Sequence, residues 1–359
     1  MTLAKPRPAA NSDRDASKRP SAWLHRYAVL VACATWLLII AGGMVTSTGS
    51  GLAVPDWPTT YGHNMFTYPV SGWVGGIFYE HGHRLIASAV GMLTIGLCVW
   101  LWIRHRGRLL TWLGVIALAA VILQGLLGGL TVLFFLPTPI SVLHACLAQT
   151  FFCLVVSIAV FTSPTWHRRA GSFALSGRWQ TPHLAALLAV AVFGQLLLGA
   201  IMRHTDSGLA VTDFPLAYGQ VLPDLGPAAI EDYNHHRRFE LLLPAVTRGQ
   251  IMAHMAHRLG AILVTAATAV VVIAVLRRHG RVAALRRPAL ILMVLVAAQI
   301  ALGGWTVWSQ KAAVVATAHV AVGAAALATA WVLTLRAYQY VGVARAVVAP
   351  GATLARSPA

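Results

Sequence analysis

Residues 79–85 read Tyr79-Glu80-His81-Gly82-His83-Arg84-Leu85, an acid, two imidazoles and a guanidinium at the mouth of a long apolar run. Residues 253–259 write the pattern again, as Ala253-His254-Met255-Ala256-His257-Arg258-Leu259, and open a second such run. Nothing else in the first half is so polar so close to a segment of membrane-spanning length. The recurrence makes the stretch a duplicated feature, and the rest of the chain reads as scaffolding for two related histidine sites.

The bulk composition fits that frame. The chain has 359 residues, 58% of them hydrophobic and only 10% charged, and its mean hydropathy is +0.70, far outside the range of a soluble globular domain. Apolar runs of about 20 residues, the length a helix needs to cross hydrocarbon, occur at 27–47, 82–103, 109–133, 140–162, 182–202, 252–276, 288–308 and 313–335. The expected fold is an all-α integral membrane protein with eight transmembrane helices, arranged as two repeated four-helix bundles. The formal charge of +17 does not point to nucleic acid, because the Lys and Arg residues cluster between apolar runs, where they act as topology signals. They collect before residue 27, at Arg104 to Arg108, Arg168 to Arg178 and Arg277 to Arg287, and after Arg336, which places both termini in the cytoplasm. The organisation follows: a disordered basic cytoplasmic tail (1–26), an N-terminal four-helix half (27–163), a cytoplasmic linker (164–181), a C-terminal half (182–336) and a cytoplasmic tail (337–359). Cys33, Cys98, Cys146 and Cys153 all lie inside apolar runs without a CxxC pair, which argues against a disulfide framework or a zinc site.

The halves are repeats. GGMVTSTGSGLAVPDWPTTYG at 42–62 matches GAIMRHTDSGLAVTDFPLAYG at 199–219, sharing Ser-Gly-Leu-Ala-Val, the Asp, the Pro and the Tyr-Gly in one register. Gln124 with Gly128-Gly129 and Val132 recurs as Gln299 with Gly303-Gly304 and Val307, and His144 recurs as His319. Four spans return the chain to its starting side, so the halves share one orientation in a parallel repeat. The glycines near Gln124 and Gln299 read as packing residues that let helices approach.

Four histidines, His83, His144, His257 and His319, stand at equivalent places and at one depth near the outer face. Intramembrane ionisable residues are costly and usually functional. Two neutral imidazoles facing one another across a four-helix bundle are the arrangement that clamps a haem iron from both sides. Zinc would take additional Cys or carboxylate ligands, and copper Cys or Met, so both rank lower. His81, two positions from His83, points elsewhere on a helix and reads as an external, non-ligand residue. Arg84 and Arg258 stand where a guanidinium suits haem propionates, or where it simply snorkels to the interface. Glu80, three residues before His83, shares its helix face, whereas the second repeat has His254 ahead of His257. One site therefore has an acid beside it and the other does not; the bland alternative is a solvated helix-start Glu favoured by the dipole.

The first loop, GGMVTSTGSGLAVPDWP, the EHGHR after it and the two-repeat plan resemble the haem A synthase family of bacterial and mitochondrial inner membranes. The resemblance covers nearly all of residues 25–336. It implies conversion of haem O to haem A by oxidation of the C8 methyl group to a formyl, for use in cytochrome oxidase, in a bacterial plasma (inner) membrane. It also implies that His83 and His144 ligate the substrate haem, that His257 and His319 ligate a haem B cofactor, and that Glu80 is the essential acid. Candidate partners are haem O, haem O synthase, cytochrome oxidase assembly factors, membrane lipid and a second copy of the chain, with nucleic acid excluded. Many relatives carry a Cys pair in the first outer loop, but residues 48–81 and 203–251 contain no Cys, which sets this chain apart from any thiol relay. Two rival classes remain open: a bis-His di-haem cytochrome that only carries electrons, which has no need of Glu80 at one haem alone, and a haem transport or delivery protein.

Overall fold

A computed structural model describes residues 21–166 and 180–348. Among the described residues lie eight helices long and apolar enough to cross a membrane and no strand, so the chain is an all-α, multi-pass membrane protein. The helices are α1 (Ala22–Ser47), α2 (Gly76–Arg104), α3 (Leu109–Leu133), α4 (Thr138–Thr162), α5 (Thr181–His204), α6 (Pro227–Phe239), α7 (Arg248–His279), α8 (Ala283–Trp308) and α9 (Ala313–Val348). All but α6 have spanning length.

Local chemistry sets the helix starts. The Ser21 hydroxyl accepts from the Leu24 N–H at 3.2 Å to cap α1, and Thr247 with Gln250 forms a reciprocal capping box on α7. Proline sits in the first turn of α4, α5 and α6, where its missing N–H costs nothing. Four starts differ from expectation: α1 begins at Ala22, α2 at Gly76, α7 at Arg248 and α8 at Ala283, each about a turn or more ahead of its apolar run. Hydropathy marks where a helix turns apolar, whereas the ladder of main-chain bonds extends through the polar Glu80 to Arg84 stretch as well. The amphipathic α6 was not expected at all, being too polar for a hydropathy window. Its signals are Pro227 after Gly226 and His236-Arg237-Arg238 in the last turn. At the other end α9 runs on to Val348, past the point where a tail was expected from 337. Most of the basic tail expected at 1–26, most of the linker at 164–181 and the last residues of the C-terminal tail lie outside the described residues, and α1 already begins at Ala22.

Each set of four spans closes into a ring. Helix α1 packs on α2 and α4, and α3 joins α2 to α4; in the same order α5 packs on α7 and α9, and α8 joins α7 to α9. The rings meet where α9 touches α1 and α4 and where α5 touches α4. Apolar cores fill the end of each ring away from the histidines: Leu24, Val31, Leu97, Leu101, Val155 and Ile158 in the first, and Leu188, Val275, Leu285, Leu292, Leu327 and Leu333 in the second. The outward faces are just as apolar, with Val190, Ile262 and Leu263 more than half exposed, which is what lipid accommodates and water does not.

At the histidine end the two long loops fold alike. Asp56 accepts from the Tyr61 and Gly62 N–H groups at 2.8 and 2.9 Å, as Asp213 does from Tyr218 and Gly219 at 2.8 and 2.9 Å. Both tyrosines and both glycines take positive φ, and each tyrosine hydroxyl donates back, Tyr61 to the Ala53 carbonyl and Tyr218 to that of Ala210. The shared Asp and Tyr-Gly of the sequence repeat are thus the parts of one turn made twice. Burial pushes the Asp56 carboxyl up, but the Gly62 N–H, the Thr59 hydroxyl and the Tyr61 N–H outweigh it and hold it below the usual carboxylate value.

Candidate functional site

Helices α2 and α4 carry His83 and His144, and α7 and α9 carry His257 and His319, each near the loop end of its helix. His83 and His144 rest against Gly42 of α1 and Gly128 of α3, the two helices that join α2 to α4 in the first ring. The His257 and His319 rings stand 6.3 Å apart between centroids, inclined by 72°. The structure therefore brings together the two pairs that the repeat predicted.

Every one of the four rings rests its Cε1 edge on a glycine of the neighbouring helix. A Cβ added at Gly42 would fall 3.0 Å from His83, at Gly128 3.2 Å from His144, at Gly199 3.1 Å from His257 and at Gly303 3.4 Å from His319. Gly42 matches Gly199 and Gly128 matches Gly303 in the repeat. The adjacent glycines have another task. A Cβ at Gly129 would strike the Trp57 indole at 2.5 Å and one at Gly304 the Phe214 ring at 3.0 Å, so each long loop seats an aromatic on the glycine next to the one under the imidazole. The glycines read from sequence as helix-packing residues make room for rings instead.

Glutamines add a second contact. The Gln124 amide donates to the His144 carbonyl at 3.0 Å, that of Gln299 to the His319 carbonyl at 2.9 Å and that of Gln195 to the His257 carbonyl at 2.8 Å. The Oε1 atoms of all three, and Nδ1 of His83, His144 and His319, are buried without a hydrogen-bond partner, which is uncommon enough in a folded interior to call for a ligand or another partner.

Glu80 and Arg84 form a buried ion pair at 2.6 Å. The other Glu80 oxygen accepts from the Val54 N–H at 2.7 Å. Arg84 donates its remaining terminal N–H groups to the carbonyls of Asp56, Thr59 and Val54 at 2.6, 2.9 and 2.7 Å, so its four terminal donors are all engaged by the loop and Glu80. Arg258 repeats two of these bonds, to the carbonyls of Asp213 and Leu216 at 2.6 and 2.8 Å, and keeps spare donors. His254, in Glu80's place, has Nδ1 3.4 Å from the Val211 N–H and 3.0 Å from the Ser207 carbonyl, accepting from the first or donating to the second according to its tautomer. Both arginines are loop clamps first, a role the sequence reading missed because it depends on where the loop carbonyls fall. His81 points away from His83 as expected but is not external. It is 0% exposed, its Nδ1 lies 3.1 Å from the Thr60 hydroxyl, and Trp73 and Tyr68 pack against it at 4.8 and 5.2 Å. The loop that buries it is invisible when only the helix is considered.

The donor set suits a haem. The imidazoles come in twos, and no three His, Cys, Asp or Glu side chains among the described residues gather as ligands for a bare metal ion. Two metal–imidazole bonds of about 2 Å plus the ring radii span roughly the separation of His257 and His319. A pair so placed can hold a metal from both sides of a macrocycle that supplies the other ligands.

Residues 25–331 match the model of the COX15-CtaA family, cytochrome oxidase assembly protein. Among similar proteins, Heme A synthase of Shouchella clausii is 32% identical over 61% of this chain and 72% of its own length. Heme A synthase of Caulobacter sp. is 28% identical over 88% and 95%, and that of Halalkalibacterium halodurans 24% over 77% and 84%. The family match runs from the first spanning helix into the last and takes in both histidine pairs and both long loops: the chain belongs to the cytochrome oxidase assembly protein family.

Proposed function

We propose that this protein is a haem A synthase that oxidises the C8 methyl group of haem O to a formyl group, with His83 and His144 as ligands of the substrate haem and His257 and His319 as ligands of a haem B. The observation that carries the reading is the set of four glycine-cradled imidazoles, two in each ring of helices, with a carboxylate beside only one pair. A haem B between His257 and His319 supplies one-electron chemistry when bound. The chain's own residues do the rest. Trp57 and the loop above it exclude water from the first site. Glu80, one helical turn from His83, is the group available to take or hold a proton as the methyl carbon is oxidised, at the carboxylate lone pairs that Arg84 and Val54 leave free. Of the two arginines expected to meet propionates, Arg258 has donors to spare and Arg84 does not. The halves act as a substrate unit (27–163) and a cofactor unit (182–336), in a bacterial inner membrane with both termini cytoplasmic. Haem O synthase and cytochrome oxidase assembly factors are the expected neighbours in supply and delivery.

The test is extraction of haems from cells supplied with haem O synthase, with and without this protein. Haem A appearing only with the protein supports the synthase; unchanged haem O with bound haem in the purified protein would instead make it an electron carrier or a delivery protein.

A further inference from the structure

Helices α1 and α5 correspond residue for residue, Gly42 to Gly199 and Ser50 to Ser207, yet two positions that face the histidine sites differ in kind. Leu38 stands where the second half has Gln195, so His83 is the one histidine of the four without an amide on its carbonyl. Thr46, whose hydroxyl only bonds back to the Gly42 carbonyl at 3.1 Å, stands where the second half has Arg203. Among the described residues Arg203 has no carboxylate within ion-pair distance. One of its N–H groups donates to the Ser47 hydroxyl at 2.8 Å, its Nε is buried without a partner, and it stands one helical turn beyond Gly199, the glycine on which the His257 ring rests. A guanidinium at the loop end of a membrane bundle whose Nε is buried without a partner lacks an acceptor there, and an anion supplies one.

We propose that Arg203 is an anion anchor for the second site, holding a carboxylate of the group ligated by His257 and His319, and that with Gln195 it makes this a site of retention, while Leu38 and Thr46 leave the first a site of exchange. The inference rests on the haem reading above. Its chemistry is a porphyrin propionate paired with a guanidinium through charge-assisted hydrogen bonds. A resident cofactor must outlast many turnovers, whereas a substrate must leave as product, and the two halves differ in the sense that this requires.

The experiment measures transfer of haem B to apomyoglobin from purified full-length protein in a His83→Ala background, so that the second site alone is read. Arg203→Thr, which installs the first half's residue, should speed haem loss about tenfold or more, the worth of one good charge-assisted bond, and Arg203→Lys should recover part of it. Haem B dimethyl ester, which has no carboxylates, should leave protein with unaltered Arg203 at least as fast as haem B leaves Arg203→Thr; if the Thr variant does not fold, Arg203→Lys decides the case by losing haem B faster than unaltered protein while losing the ester at the same rate. Equal loss rates for haem B and its ester overturn the inference while leaving the haem reading intact. No haem bound at His257 and His319 overturns the reading, and the inference with it.

Discussion

Glu80→His is the substitution that separates chemistry from anchoring, because the second half already carries histidine at this place. The structure gives the cost. Glu80 accepts two short bonds, 2.6 Å from Arg84 and 2.7 Å from the Val54 N–H, each with an ionised acceptor and so worth about 1.5–3 kcal/mol. His254 shows what replaces them: a single bond at Nδ1, from the Val211 N–H at 3.4 Å or to the Ser207 carbonyl at 3.0 Å according to its tautomer, with Arg258 still clamping two loop carbonyls. Arg84 would likewise keep its three carbonyl bonds, so the loop should loosen by roughly 3 kcal/mol, the low end of breaking a buried pair, without the bundle unfolding. If Glu80 serves as acid or base, haem A formation falls by about 10² to 10⁴ while haem stays bound at His83 and His144. The assay is chromatography of haems extracted from membranes, read beside the low-spin absorbance of the purified protein, with haem O or its alcohol accumulating in place of haem A. Near-normal haem A from Glu80→His would refute the reasoning and reduce Glu80 to a loop anchor. Glu80→Gln is the harsher variant structurally, since its amide either loses Arg84 or faces the Val54 N–H with another donor.

Replacing His257 or His319 with Ala should abolish or convert one low-spin bis-His signal, measured on purified protein, and an unchanged spectrum in both variants would contradict the ligand assignment. Gly42→Ala and Gly128→Ala set a methyl 3.0 and 3.2 Å from an imidazole carbon, an overpacking worth about 1–3 kcal/mol, and should lower haem occupancy of the first site, whereas Gly125→Ala, with nothing within 4 Å, should not. The Asp56 carboxyl is held below its unfolded value, so its hold on the turn is complete at neutral pH and is lost only as acid passes down through the folded value; hydrogen exchange at the Tyr61 and Gly62 amides should stay slow until that point, and Asp56→Asn should speed it at pH 7. Reporter fusions after Arg106 and after Arg281 should both report cytoplasm, and either one outside would overturn the topology.

The parts legible in the sequence were those written in composition or in repetition. Spans announce themselves because lipid demands continuous apolar length, and the histidines stood out because a duplication kept them at matching depths. The Asp and Tyr-Gly of both loops were visible as shared letters, although their work as one turn made twice emerged only from the hydrogen bonds. Contacts between residues far apart in the chain were not legible. Gly42 against His83, Trp57 against Gly129 and Arg84 against the Asp56 and Thr59 carbonyls each join a loop or helix to another whose angle no periodicity fixes. Gln195 was missed for a related reason, since the first half offers only Leu38 to compare it with. The polar α6 and the buried His81 show the other limit, in that hydropathy says nothing of what folds over the end of a span.

The halves agree closely on α3 against α8 and at the histidine carbonyls: Gln124 and Gln299 bond the histidine carbonyl, Gly128 and Gly303 lie under the ring, and Gly129 and Gly304 lie under the loop aromatic. On α4 against α9 the buried Ser141 stands against Ala316 and Gln149 against Ala324, and on α1 and α2 against α5 and α7 three further positions differ in kind: Leu38 against Gln195, Thr46 against Arg203 and Glu80 against His254. Two of them remove polar partners from the His83 side and the third places an ionised carboxylate there. The three changes on α1 and α2 all fall on the His83 wall of the first site. That wall holds both the loosened imidazole and the acid, so in the synthase reading substrate exchange and proton handling belong to the same side of the haem.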